Sequence, residues 1–249
     1  MHVLPSGPGA GPGRYELPFL NSHAETPTAT TFRFSIKGTG FQYRSNQAIR
    51  LEIPGARDPR PGRMFSLSSS PTEKDQIAVT VKMTGSGYKE ALGSLAPGDP
   101  VQVFGPLGDL FYNPQRPAVF VAGGIGVTPF RGMLRFASDT NAAQPIILLY
   151  SARNPEEFAF KAELDEIARK HPMFKIWYTV TRPSDAKGGW KGRVGRIDEA
   201  WIREALQGLD RPKVYVAGLP LMAHETITML KERMGFIEDD LEYEFFMGY

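Results

Sequence analysis

Cysteine is absent from the 249 residues. Its absence excludes disulfides, thiolate zinc sites, a cysteine nucleophile and a cysteine-ligated iron–sulfur cluster carried by these residues. Histidine is scarce and scattered: His2, His23, His171 and His224 lack the spacing of a metal site, so no metal is expected. No apolar run approaches the about 18–20 residues that a membrane helix needs. Charge is nearly balanced at a formal net +2, too small to suggest nucleic acid. Residues 1–14 lack the cationic start and apolar core of a secretory signal, and their glycine and proline read as a disordered lead. The expectation is a cytoplasmic protein without a membrane span.

What is present divides into two patterns. Residues 15–113 read as strands and turns. Thr31–Ile36 and Ile77–Met83 alternate with period two, and Val101–Phe104 forms another short strand. Turn chemistry separates them at Lys37-Gly38-Thr39-Gly40, Ile53-Pro54-Gly55, Pro61-Gly62 and Ala96-Pro97-Gly98-Asp99. One short helix, about Tyr88–Leu95, interrupts. Short strands at this spacing predict an antiparallel β-barrel.

Residues 114–249 carry continuous apolar runs at Ala118–Ala122, Ile146–Tyr150, Ile176–Val180 and Val214–Ala217. Amphipathic segments lie between or after them: Pro129–Ala137, Glu156–Lys170, Asp198–Gln207 and Leu221–Met234. Fully apolar strands alternating with helices predict a parallel α/β sheet covered on both faces. Asn113-Pro114-Gln115-Arg116-Pro117 breaks both patterns and marks the boundary.

Two motifs carry chemistry. In Val119–Phe130 a buried strand runs into Gly123, Gly124 and Gly126 and then into a helix that Pro129 is expected to open. Glycines admit a close ligand, and unpaired N–H groups at the helix start suit a pyrophosphate; a plain tight turn is the bland alternative. In Arg63-Met64-Phe65-Ser66 an arginine suited to phosphate stands beside an aromatic ring and a hydroxyl. An edge strand with a serine-rich turn is the alternative there.

Arg63–Ser66 resembles the Arg-x-Tyr-Ser flavin motif of the ferredoxin–NADP reductase family, with Phe65 in place of tyrosine. In order along the chain, Val79-Thr80-Val81-Lys82, Leu92-x-x-Leu95-x-Pro97-Gly98-Asp99, Gly105-Pro106-Leu107-Gly108, Gly124–Pro129, Tyr150-Ser151-Ala152-Arg153, Val214–Met222 and Glu244-Phe245-Phe246 resemble further landmarks of that family. The resemblance spans residues 15–249 and implies a flavoprotein oxidoreductase with FAD between two domains. Departures at Gly87-Tyr88-Lys89 and Asn46-Gln47 leave FMN open. Arg63, Met64, Phe65, Ser66, Thr80, Val81, Lys82, Gly87, Tyr88, Lys89, Thr128, Phe246 and Tyr249 would contact the flavin, with Ser66 and Glu244 catalytic.

The resemblance also implies an NAD(P)H site. Gly124, Gly126 and Thr128 would face its pyrophosphate, and Gly218, Leu219 and Met222 its nicotinamide. Ser151, Arg153, Thr181, Arg182 and Lys191 would favour NADPH over NADH by meeting a 2′-phosphate. Ala217 stands where the family commonly has a cysteine. The acceptor is expected to be an acidic ferredoxin or flavodoxin, which Arg44, Arg50, Arg57 and Arg60 could steer if they share a surface; scattered solvated arginines are the alternative. An oxygenase reductase component, a free-flavin or quinone reductase, and a non-catalytic nucleotide-binding subunit or sensor stay open as alternatives.

Overall fold

The computed structural model describes residues 11–56, 58, 61–108, 111–186 and 188–247. The first half contains β1 (Gly13–Thr26), β2 (Ala29–Ser35), β3 (Ala48–Glu52), β4 (Gly62–Ser66), β5 (Gln76–Lys82), α1 (Gly87–Gly93) and β6 (Pro100–Leu107). All described pairings among these strands are antiparallel, in the order β4-β3-β6-β1-β2-β5. β1 serves twice: Gly13–Pro18 pair with β6, and Phe19–Thr26 pair with β2. The strand thus reaches two residues into the stretch read as a lead. A bridge from Leu67 to Val79 joins the two edge strands and closes the barrel. Leu17, Phe32, Phe34, Ile49, Leu51, Leu67, Ile77 and Val79 fill its interior.

The second half contains β7 (Ala118–Gly123), α2 (Val127–Asp139), β8 (Ile146–Ala152), α3 (Lys161–Lys170), β9 (Phe174–Val180), β10 (Arg193–Val194), α4 (Glu199–Leu206), β11 (Lys213–Gly218), α5 (Pro220–Met234) and β12 (Leu241–Phe245). Every pairing is parallel, in the order β10-β9-β8-β7-β11-β12. Two apolar layers cover the sheet. Phe120, Leu148 and Tyr150 pack toward α2 and α3, whereas Val119, Val121, Leu149 and Val216 pack toward α4 and α5. Strand order reverses between β7 and β11, and ligands of open α/β sheets bind at such switch points, outside the carboxyl ends of the strands. Among the described residues no helix is long and apolar enough to cross a membrane.

Three boundaries depart from expectation. The helix expected over 156–170 begins only at Lys161, because Phe160 takes a left-handed φ of 61° that no helix can run through. That turn sends Phe158, Ala159 and Phe160 together into the core. α2 begins at Val127, which puts Pro129 third in its first turn, where backbone N–H groups have no intrahelical partner to lose. The aromatic chain end pairs as β12 alongside β11.

Candidate active site between the two domains

The flavin motif and the acidic–aromatic ending occupy edge strands of different sheets. Ser66 closes β4, and Glu244 lies in β12 beside Ala217 of β11. The two meet across 178 residues of sequence, the Ser66 hydroxyl donating to the Glu244 carboxylate. Burial pushes the Glu244 pKa up, and the Ser66 hydrogen bond opposes the rise. A carboxyl group so placed is suited to hold a proton and to order the serine hydroxyl.

At the switch point the glycines form a close-packed cradle. A Cβ on Gly126 would lie 2.3 Å from the carbonyl oxygen of Ala217, so β11 and the start of α2 meet backbone to backbone. Gly124 has φ +54° and open space where a side chain would stand. No side chain caps α2; its Val127 N–H turns back to the Gly124 carbonyl and Pro129 has none, so the backbone offered to a ligand is that of the Gly123–Gly124 turn at the cavity wall. The cradle opens on a cavity of about 1140 Å³.

Of the residues expected at the nicotinamide nucleotide, Gly124, Ser151, Arg153, Thr181, Arg182, Leu219 and Met222 line this cavity. Gly126 and Thr128 are buried behind it, Gly218 packs against Met222, and Lys191 is not in the lining. Arg153 and Arg182 follow neighbouring strands, and the Arg182 N–H donates to the Arg153 carbonyl at 2.8 Å. Both side chains are exposed, and among the described residues neither has a carboxylate partner. Sequence reasoning missed Arg196, His224, Glu225 and Arg233. On α5, at about 100° per residue, His224 and Arg233 stand on opposite flanks with Glu225 between them, so no i, i+3, i+4 spacing marked them in the sequence. Arg196 pairs with Glu225 at 3.3 Å. Lys82 also lines the cavity and faces Glu157 at 4.0 Å, so its side chain stands where both nucleotides could meet it.

On the barrel side Phe65 lies nearly parallel to Tyr88, their ring centroids 6.1 Å apart. Arg63 sits over the Tyr88 ring at 5.1 Å and pairs with Asp58 at 2.7 Å. Tyr88 is fully buried and donates to the Leu51 carbonyl. Burial pulls the Lys89 pKa down, and the charges of Arg63 and Lys82 lower it further. Arg63, Lys82 and Lys89 gather here with Asp58 paired to Arg63 and Glu157 facing Lys82, so an anionic group would share the cations with those carboxylates; with Phe65 the corner suits a phosphate-bearing flavin on those terms. Met64 is 55% exposed. The side chains of Thr80 and Val81 are committed elsewhere. Thr80 bonds Thr31 and Ser68, and Val81 lies in the barrel core, so only their backbone could meet a ligand. Gly87 and Lys89 belong to α1, whose first turn is capped by Ser86. Phe246 packs against the α/β core, its N–H donating to the Gly218 carbonyl at 2.9 Å. Tyr249, Arg57 and Arg60 lie outside the described residues.

A barrel with a cationic aromatic corner, joined to a parallel sheet with a glycine cradle, defines a flavin-dependent oxidoreductase of nicotinamide nucleotides. The oxidoreductase NAD-binding domain profile matches residues 120–227. Ferredoxin--NADP reductase B of Sorangium cellulosum is 30% identical over 212 residues, covering 80% of this chain and 83% of that one. NADH-cytochrome b5 reductase 1 of Dictyostelium discoideum is 28% identical over 222 residues, 84% of this chain and 74% of that one. The chain spans about half, 51%, of the flavohemoprotein of Bacillus subtilis that it also matches. The fold is that of the ferredoxin-NADP+ reductase from Plasmodium falciparum, with a TM-score of 0.75 at 16% identity over 94% of this chain and 96% of that one. The chain belongs to the ferredoxin–NADP reductase family of NAD(P)H-dependent flavin oxidoreductases.

Proposed function

We propose that the protein oxidises NADPH through FAD and passes the electrons to ferredoxin or flavodoxin. The observation that carries NADPH over NADH is the side-by-side pair Arg153 and Arg182, two solvated guanidinium groups at the rim of the nucleotide cavity. A 2′-phosphate is a dianion that such a pair recognises, whereas a 2′-hydroxyl gains little from it. Replacing Arg182 or Arg153 by Ala should raise KM for NADPH roughly tenfold or more while leaving NADH within about twofold. Equal effects on both coenzymes would reject the assignment.

A bound flavin supplies the ring that accepts hydride; the chain supplies position and charge. Arg63, Lys82 and Lys89 would hold the flavin phosphates, and Phe65 would flank the ring. FAD is favoured over FMN because three cations, Arg63, Lys82 and Lys89, are near enough to act on one another and offer more charge than a single phosphate needs. The Gly123–Gly124 turn before α2 would receive the coenzyme pyrophosphate, with Leu219 and Met222 bounding the nicotinamide. Ser66 and Glu244 would hold a proton beside the reacting rings and help to keep water out. Loss of yellow colour and of FAD affinity in an Arg63→Ala, Lys89→Ala double variant tests the flavin corner; full retention of both would exclude it.

The acceptor rests on the similarity to the Sorangium reductase. A second reading, an oxygenase component or free flavin as acceptor, gains from two observations. Arg50 pairs with Glu52 at 2.6 Å, and Arg44 is held on the Phe111 ring at 3.6 Å with its charge kept, so only part of the expected arginine surface is free to steer an acidic partner. The glycine betaine monooxygenase reductase subunit of Chromohalobacter salexigens is also 28% identical over 195 residues. Steady-state reduction of ferredoxin, flavodoxin and free FMN side by side separates the two; a clear preference for free FMN would overturn the first.

A further inference from the structure

α2 touches both halves of the site. Its start is the glycine cradle, and its flank lies against the backbone that follows Ser66. A Cβ on Gly132 would sit 2.8 Å from the Ser69 carbonyl oxygen and 3.4 Å from those of Leu67 and Ser68. One residue earlier is Arg131, only 7% exposed. It donates to the Ser68 carbonyl at 3.1 Å, to Glu73 at 3.0 Å, and to Glu163 at 2.9 and 2.7 Å. Glu73 in turn accepts from the Ser70 N–H at 2.6 Å. A buried guanidinium is tolerable only when its donors are filled. Here they are filled from both sides of the domain boundary, by Glu163 of α3 and by the Ser68–Glu73 segment of the barrel.

We propose that this seam, Gly132 and Arg131 of α2 against Leu67–Glu73, sets the separation of the nicotinamide and flavin sites. The proposal rests on the function proposed above and makes both residues positioning residues for hydride transfer. α2 is a rigid rod whose start at Val127 lies only about 7.5 Å along its axis from Gly132. Phe65 and Ser66 immediately precede the segment that the rod rests on. A shift at the seam therefore moves the two reacting rings relative to each other. Reacting atoms must come within about 3–3.5 Å, and a misplacement of about 1 Å costs roughly 100-fold in rate. Neither Gly132 nor Arg131 lines the nucleotide cavity, so coenzyme affinity is set elsewhere.

The test uses Gly132→Ala, Glu73→Gln and Arg131→Lys, the last keeping the charge but losing the fork of donors. In the cysteine-free chain, Ser22→Cys on β1 and Ala200→Cys on α4 place spin labels on exposed positions of the two domains. Pulsed electron resonance then reads the inter-domain distance in flavin-free protein. Stopped-flow reduction by NADPH and by its 4-deuterated form reads hydride transfer. Gly132→Ala should shift or broaden the distance distribution, slow the limiting rate about tenfold or more, enlarge the isotope effect, and leave the NADPH Kd within about twofold. Glu73→Gln and Arg131→Lys should move the same readouts less, and they carry the test if Gly132→Ala does not fold. Unchanged distances, or a loss confined to melting temperature or coenzyme affinity, would overturn the proposal. A protein that binds no flavin would sink the proposed function while the distance measurement still judged the seam.

Discussion

Ser66 and Glu244 bring stability and chemistry into conflict at a single contact. Because burial raises the Glu244 pKa, the folded chain gives up that carboxyl proton at a higher pH than the unfolded chain does. The stability linked to that proton is present below the ordinary carboxylate pKa of about 4.3 and is lost as pH rises through the folded-state value. Glu244→Gln should therefore melt higher than the parent at pH 7–8, with the gain vanishing near pH 4, while flavin reduction slows roughly 100-fold. Melting curves that differ equally at both pH values would contradict the assigned cause. Asn46 offers a second test. It adopts φ 74°, the left-handed region that asparagine tolerates and glycine enters without strain. Asn46→Gly should be nearly neutral, and Asn46→Val should cost about 1–2 kcal/mol by denaturant unfolding. At this scale the sequence disclosed Ser66, Arg153 and Arg182 because each sits in a contiguous motif. It did not disclose Arg196, His224 or Arg233, which reach the cavity only through strand order and the placement of α5.

At the scale of elements, the strands buried on both faces were legible, since β7, β8 and β11 are nearly unbroken apolar runs. β1 was not, because residues 20–24 are all exposed and show no alternation. β12 was hidden for a different reason. Its Glu242-Tyr243-Glu244-Phe245 pattern reads as an aromatic tail until its parallel pairing with β11 is known. The left-handed Phe160 has no local sequence marker, so the late start of α3 was equally invisible. The tightest contact between elements is Gly126 against Ala217. Gly126→Ala must push β11 and α2 apart, closing the cradle. It should lower stability by about 1–3 kcal/mol and abolish measurable NADPH binding by calorimetry. A variant that binds NADPH normally would show that the cradle is not the pyrophosphate site.

Across the whole molecule, function depends on two sheets that share no strand. Besides the α2 seam, Thr28 of the barrel donates to Glu157 of the α/β domain at 2.7 Å, and Ser66 donates to Glu244. The sequence distinguishes the halves by pattern, because turn-rich alternation and continuous apolar runs have different periods. It could not show how the halves meet, since those contacts join residues from 58 to 178 positions apart. Together the halves are proposed to move hydride from a nicotinamide coenzyme to a flavin. Anaerobic titration of the purified protein with NADPH, followed by visible absorbance, reads this transfer. A yellow protein, loaded with FAD, that NADPH bleaches stoichiometrically and NADH bleaches less readily is expected; a protein with no affinity for FAD or FMN, or a yellow one that neither coenzyme bleaches, would rule the transfer out.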